Sequence, residues 1–291
     1  MARRDYIYSP TKKLTRETLL VDGQTLAIDH AYDLNDAHAA VTYSTGTTVN
    51  YGPDALGWPT QAVPFASAVA FQSNGALRQL SYANGLISNF TIDTRQRPQS
   101  VSTSRGVANP LINISNVYDN SNNVVNVVDS VTGEQSRTFG YDALDRLQTV
   151  TMPGVPAGRI VYNGTGNILS QQLGFNVINY QYDTSNRLTS VSGSRNQNFS
   201  YDLYGNVASN TRNQFQYDNG SMLRCVDCGT ANETRYDYDG AGMRVSESKG
   251  PFKTYFMYGS SGDLMFEMDS NGVKREYGYV GGRNIARKVT Q

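Results

Sequence analysis

The sequence predicts an all-β protein: repetitive antiparallel hairpins forming one long sheet that curls or spirals into an open, partial shell. Three observations predict it. The composition favours strands and turns, with 20 Tyr against 10 Phe, 27 Gly and only 17% charged residues among 291. Asn-Gly pairs stand beside alternating residues at Asn74-Gly75, Asn84-Gly85, Asn163-Gly164, Asn219-Gly220 and Asn271-Gly272, and this dipeptide readily adopts the positive φ angles of type I′ hairpin turns. Above all, one short pattern recurs: an aromatic residue, an Asp, a polar turn and a restarted strand. Helical periodicity is almost absent, the weak "LNDAHAAV" from Leu34 to Val41 being the exception.

The recurring unit is clearest in "INYQYDTSNRLTSVSG", with Tyr182 and Asp183. It returns at Tyr118-Asp119, Tyr141-Asp142, Tyr201-Asp202, Tyr217-Asp218 and Tyr238-Asp239. Degenerate copies put Asn163 or Gly259 in place of the Asp, and Ile92 before Asp93. From residue 119 to 259 the spacings are 23, 21, 20, 19, 16, 21 and 20. A period near 20 fits two short strands and their turns, and is too short for a propeller blade or a helical repeat. One such hairpin cannot fold alone, so successive copies must pair or stack.

Each conspicuous residue has a structural task. Tyr180 and Tyr182 share a face because strand side chains alternate, so the rings of successive copies are expected to form a ladder. Asp183 can accept hydrogen bonds from backbone N–H groups just ahead of it, and Asn186, like Gly205 and Gly242 in other copies, suits a left-handed backbone. Leu188, Leu147 and Val207 restart the strand toward the buried face, while Arg187 and Arg146 are free to pair with a carboxylate.

The pattern "YDxxxRLxSV" resembles the YD repeat of the rearrangement-hotspot (RHS) and teneurin-related proteins. The best copies are Tyr141 to Val150 and Tyr182 to Val191, supported by "ALRQLSYANGLISNFTIDTRQRPQSV" (Ala76 to Val101) and "EYGYVGGRNIARKV" (Glu276 to Val289). The similarity runs from Leu77 to Val289, and the first 50 residues match only in "YDLNDAHAAVTYSTG". The resemblance implies a β-sheet wound into a hollow shell, commonly enclosing a C-terminal toxic effector. It implies no catalytic residue here, because the family's "DPxGL" self-cleavage boundary is missing from the chain. The expected organisation is a weakly matching β region over 1–50, continuous with YD-repeat sheet over 51–291.

Charge excludes other classes. Lys plus Arg and Asp plus Glu number 25 each, so no global field attracts nucleic acid or an anionic membrane. The apolar run Ala62 to Phe71 is too short to span a bilayer, and "MARRDYIYSPTKKL" has no apolar stretch behind its basic residues. As part of a larger protein the chain is expected at the cell surface or outside the cell; complete as written, it would be cytoplasmic.

Candidate chemistry is sparse. Cys225 and Cys228 are the only cysteines, and a zinc site would need further ligands that His30 and His38 lie far away in sequence to supply. The expected reading is a hairpin turn closed by a local disulfide, with no metal and no cofactor. His30 and His38 come without a nucleophile signature. "DYDGAGMRVSES" (Asp237 to Ser248) departs from a calcium loop at Ala241 and Ser248. The expected function is a non-enzymatic wall segment of an RHS-type toxin or surface protein, its partners a C-terminal effector or a secretion apparatus, with self-association through open sheet edges. An alternative is an adhesion module holding carbohydrate on tyrosine faces.

Overall fold

The computed structural model describes residues 2–106 and 109–291, and these hold strands and turns without a helix. The helix-like window around Leu34 folds instead as a turn followed by the strand His38–Tyr43. Asp33 is the reason: its carboxylate takes the backbone N–H groups of Asn35 and Ala37, closing the chain on itself before a helix can propagate. Backbone contacts divide the chain into two compact units, residues 86–213 and residues 1–85 with 214–291.

In the discontinuous unit, β1 (Arg3–Tyr8), β2 (Leu14–Val21), β3 (Gln24–Tyr32), β4 (His38–Tyr43) and β5 (Thr48–Asn50) form one antiparallel sheet in chain order. A hairpin of β6 (Ala66–Phe71) and β7 (Leu77–Tyr82) follows.

The residues from 86 to 213 supply β8 (Leu86–Ile92), β9 (Pro98–Arg105), β10 (Ile112–Tyr118), β11 (Val124–Asp129), β12 (Arg137–Tyr141) and β13 (Leu147–Thr151). They continue with β14 (Gly158–Tyr162), β15 (Ile168–Leu173), β16 (Asn176–Tyr182), β17 (Leu188–Gly193), β18 (Gln197–Tyr201) and β19 (Val207–Asn210). From β8 to β19 successive strands pair antiparallel in chain order, β19 forms an edge, and the sheet does not close into a barrel. Burial follows the period of two: Ile178, Tyr180 and Tyr182 are half-buried while Asn179 and Gln181 between them are exposed. Few side chains here are fully covered, chiefly Ser88, Thr103, Val150 and Val191, so this unit is a single layer.

The chain then returns to the first unit with β20 (Phe215–Tyr217), β21 (Leu223–Val226), β22 (Thr234–Tyr238) and β23 (Arg244–Lys249). β24 (Phe252–Tyr258), β25 (Leu264–Asp269), β26 (Lys274–Val280) and β27 (Arg283–Thr290) complete an antiparallel sheet in chain order. Here a true core exists. Leu19, Ile28, Val41 and Val49 are buried on the first sheet, and Val245, Met257, Phe266 and Val280 on the last. Full burial of each such side chain contributes about 1.5–3 kcal/mol. Across the two sheets, Tyr43 Oη donates to the Tyr277 carbonyl at 2.5 Å and Arg4 pairs with a nearly buried Asp239.

The turns differ from the expected type I′ geometry. After Tyr162 it is Gly166, not Gly164, that takes a positive φ (90°), and its N–H bonds back to the Asn163 carbonyl. In the Asn219-Gly220 turn the left-handed residue is Ser221, and at Gly75, Gly85 and Gly272 the preceding Asn keeps an ordinary φ. The physical reason is loop length. Type I′ needs positive φ at both central residues of a two-residue loop, and that loop occurs at Asp22-Gly23 and Gly281-Gly282. The YD turns are longer: one left-handed residue returns the chain to the strand, and the extra length appears as a bulge at the preceding aromatic, as at Gln181/Tyr182 and Val161/Tyr162.

Candidate functional site

The repeated turn is a capped loop. Asp183 Oδ1 accepts from the N–H of Ser185 at 2.8 Å and of Arg187 at 2.9 Å, while Oδ2 takes the Arg187 guanidinium at 2.8 Å. Asp142 does the same with Leu144 and Arg146. Asp119 and Asp202 substitute Asn123 and Asn206 for the arginine; Asp218 caps the N–H groups of Gly220 and Met222, and Asp239 caps those of Ala241 and Met243 while its Oδ2 takes the distant Arg4. In three of these turns the donors hold the carboxyl below the usual range: the Arg187 N–H leads for Asp183, the Arg146 side chain for Asp142, and the Asn206 side chain for Asp202. Such groups favour the fold above their unfolded value, and that contribution fades as pH falls through the lower folded one.

Tyr118, Tyr141, Tyr162, Tyr182 and Tyr201 do not stack ring on ring as the expected ladder would have them, among the described residues. Their hydroxyls reach backwards instead. Tyr118 donates to the Pro98 carbonyl at 2.6 Å, Tyr141 to Val124 at 2.8 Å, Tyr162 to Leu147 at 2.8 Å, Tyr182 to Ile168 at 2.9 Å and Tyr201 to Leu188 at 2.8 Å. The guanidinium of the preceding turn covers the ring: Arg97 lies 4.2 Å from the Tyr118 centroid, Arg146 4.5 Å from Tyr162, and Arg187 5.1 Å from Tyr201. Pairing between repeats explains this. β13 and β14 share register only at Thr149↔Arg159 and Val150↔Gly158, and β17 and β18 only at Ser190↔Asn198 and Val191↔Gln197. Toward the YD turns the strands part company, and the Leu147 and Leu188 carbonyls there take a tyrosine hydroxyl. Asp orders the turn, the turn aims Arg, Arg covers Tyr, and Tyr staples the splayed end. The same staple occurs at Tyr32, which donates to the Leu14 carbonyl at 3.0 Å, and at Tyr279, which donates to Leu264 at 2.9 Å.

The remaining singled-out residues fall into the same scheme or apart from it. Gly205 takes the left-handed place of Asn186, with φ 87°. Tyr217 and Tyr238 stand at the bulges before Asp218 and Asp239. Asp237 of the calcium-like stretch accepts from Ser246 Oγ and faces Arg224, so it serves the sheet. Cys225 and Cys228 are joined by a disulfide. Between them Asp227 clamps Gln214, accepting from its N–H and donating to its carbonyl at 2.8 Å each.

Sequence reasoning missed one constellation. His30 Nε2 lies 2.9 Å from Glu17 Oε1, and His30 Nδ1 lies 3.1 Å from His38 Nε2. Neither histidine meets the far cysteines; the turn at Asp33 places both on adjacent strands, and that turn was the readable signal. Glu17 is 1% exposed, and its Oε1 also accepts from the Ser260 N–H at 3.2 Å. The three line a cleft of about 250 Å³ whose other walls include Tyr51, Met265, Tyr279 and Val280. Burial, with His30 adding to it, pushes the His38 imidazole down to about 4, so it is a weak base near neutral pH. Among the described residues no group of His, Cys, Asp and Glu is arranged to hold a metal ion.

A family comparison adds to this geometry. Residues 155–291 match the teneurin YD-shell family model. Over that span the chain is similar to a YD-shell. The chain matches no curated protein in sequence. Among solved structures it is similar to a crystal structure of TcdB2-TccC3-TEV, with a TM-score of 0.61 and 13% identity over 100% of this chain and 19% of that one. A TcdB2-TccC3 structure without its hypervariable C-terminal region gives 0.60 and 14%, over 98% and 18%. The Photorhabdus luminescens Tc holotoxin pore gives 0.57 and 12%, over 97% and 18%. The chain thus spans about a fifth of the solved chains it matches, and it shares their open β-sheet fold.

Proposed function

We propose that this chain is a structural wall segment of an RHS-type secreted toxin or surface protein, and that the wall encloses or presents a C-terminal effector. The observation that carries the reading is the staple: an Asp-Arg-Tyr set repeated along the sheet spends its charged and polar groups on joining one hairpin to the next. A catalytic centre arranges such groups around a substrate; these face their own backbone. The YD-shell match over residues 155–291 and the Tc toxin neighbours support the same role. The adhesion alternative is less well supported, because the ring faces of Tyr118, Tyr162 and Tyr201 that a pyranose would need carry guanidinium groups.

Protease protection tests the proposal. The gene product containing this chain is expressed whole and exposed to a broad-specificity protease, with and without a Tyr162→Ala/Tyr182→Ala/Tyr201→Ala triple change. The effector segment should survive in the parent protein and be degraded in the triple variant. An effector digested equally fast in both would refute enclosure.

A further inference from the structure

We propose that the cleft over Glu17 binds a primary alkylammonium group, with the Glu17 carboxylate as its anchor. Three observations converge on it. First, the cleft holds two carboxylates, Glu17 and Asp263, and no Lys or Arg among its lining residues. Second, Glu17 Oε2 is buried and has no hydrogen-bond partner. Its other oxygen is held by His30 and the Ser260 N–H, and among the described residues the one ion-pair contact of Glu17 is to that histidine. A buried carboxylate oxygen without a hydrogen-bond partner is costly. Third, the repeat breaks its own rule at this place. In the copies from Asp93 to Asp239 an Asp or Asn caps the YD turn with its own side chain, whereas here Gly259 stands at that position and Glu17 of the facing sheet takes a turn N–H instead. A Cβ on Gly259 would come within 3.1 Å of the Met265 side chain and 3.8 Å of Glu17 Oε1. Departures from a consistent local pattern concentrate at functional sites.

The chemistry of the walls selects the ligand. A ligand donor at the floor would give Oε2 the partner it lacks. Around the carboxylate stand Val41, Met265 and Val280, with the rings of Tyr51 and Tyr279, surfaces that suit an alkyl chain and the face of a cation. A volume near 250 Å³ is below that of a drug-sized site, which limits the guest to a few methylenes behind the ammonium. The wall that yields to admit it is the turn Gly259-Ser260-Ser261-Gly262, which carries only small side chains.

Titration of the 291-residue chain with n-butylammonium chloride, followed by calorimetry or by the NMR signals of the His38 ring, tests the site. Saturable binding is expected, about tenfold or more tighter than that of 1-butanol, which keeps the chain and loses the charge. Glu17→Gln should weaken n-butylammonium about tenfold or more, and Asp263→Asn about threefold. Equal affinity for 1-butanol, or no saturation up to about 100 mM amine, would overturn the proposal. If Glu17→Gln does not fold, the Asp263→Asn variant and the 1-butanol comparison decide on folded protein.

Discussion

Removing a single hydroxyl tests the staple. In Tyr162→Phe the ring stays beneath the Arg146 guanidinium at the same 4.5 Å, and only the 2.8 Å bond to the Leu147 carbonyl is lost. A net hydrogen bond of this kind contributes about 1 kcal/mol, and the carbonyl left behind is half-buried, which keeps the loss near that figure. Because β13 and β14 share two register pairs, the effect should be local. About 1 kcal/mol corresponds to a fivefold fall in protection against hydrogen exchange at the amides of Thr149 and Arg159. Local exchange is the right assay, since a repeat array need not unfold in one step. Arg146→Met, which keeps the apolar stem, should cost about 0.5–1 kcal/mol through the ring contact. The Phe and Met changes should add within about 0.3 kcal/mol, whereas Tyr162→Leu with Arg146→Met should show coupling of about 0.5–1 kcal/mol. Unchanged protection in Tyr162→Phe would refute the idea that the hydroxyl joins the repeats.

Three further outcomes are expected. Gly205→Ala, at φ 87° with open space around it, should cost about 1–2 kcal/mol, and Gly193→Ala more, because its Cβ would lie 2.3 Å from the Val177 carbonyl; urea unfolding of both variants checks the order. The unit containing Trp58 should lose stability as pH falls from 6.5 toward 4. His38 is lowered to about 4 in the fold, so the unfolded chain takes up the proton first and stability is complete only above 6.5; the loss is at most about 3 kcal/mol, His38→Gln should flatten it, and Trp58 fluorescence reads the midpoint. Reducing the Cys225–Cys228 bridge should cost about 2 kcal/mol, as a short closed loop implies, and speed exchange at the Gln214 amide that Asp227 holds; a reduced protein with the same melting temperature would contradict this.

Much of the fold was legible because each repeat restates its rule. The spacing of Asp119, Asp142, Asp183 and Asp202 marked the turns, and the alternation around Tyr180 and Tyr182 marked the strands. Two things were hidden. Turn type depends on loop length, which Asn-Gly alone does not reveal, and the place of Gly166 or Asn186 at the left-handed position was the better guide. Contacts distant in sequence, such as Tyr43 to Tyr277 and Glu17 to Ser260, leave no periodic trace. The core of the discontinuous unit and the cleft beside it therefore escaped the sequence. The role of tyrosine was half-read: a side chain that alternates toward one face was visible, but not the Arg-covered ring or the hydroxyl aimed at the preceding repeat.

The most direct measurement is electron cryomicroscopy of the whole gene product that contains this chain. A wall in which the YD hairpins from β8 to β19 run on as one sheet, around density for an effector segment, is the expected result. A map in which these hairpins pack against a separate folded domain, with no enclosed volume, would contradict it.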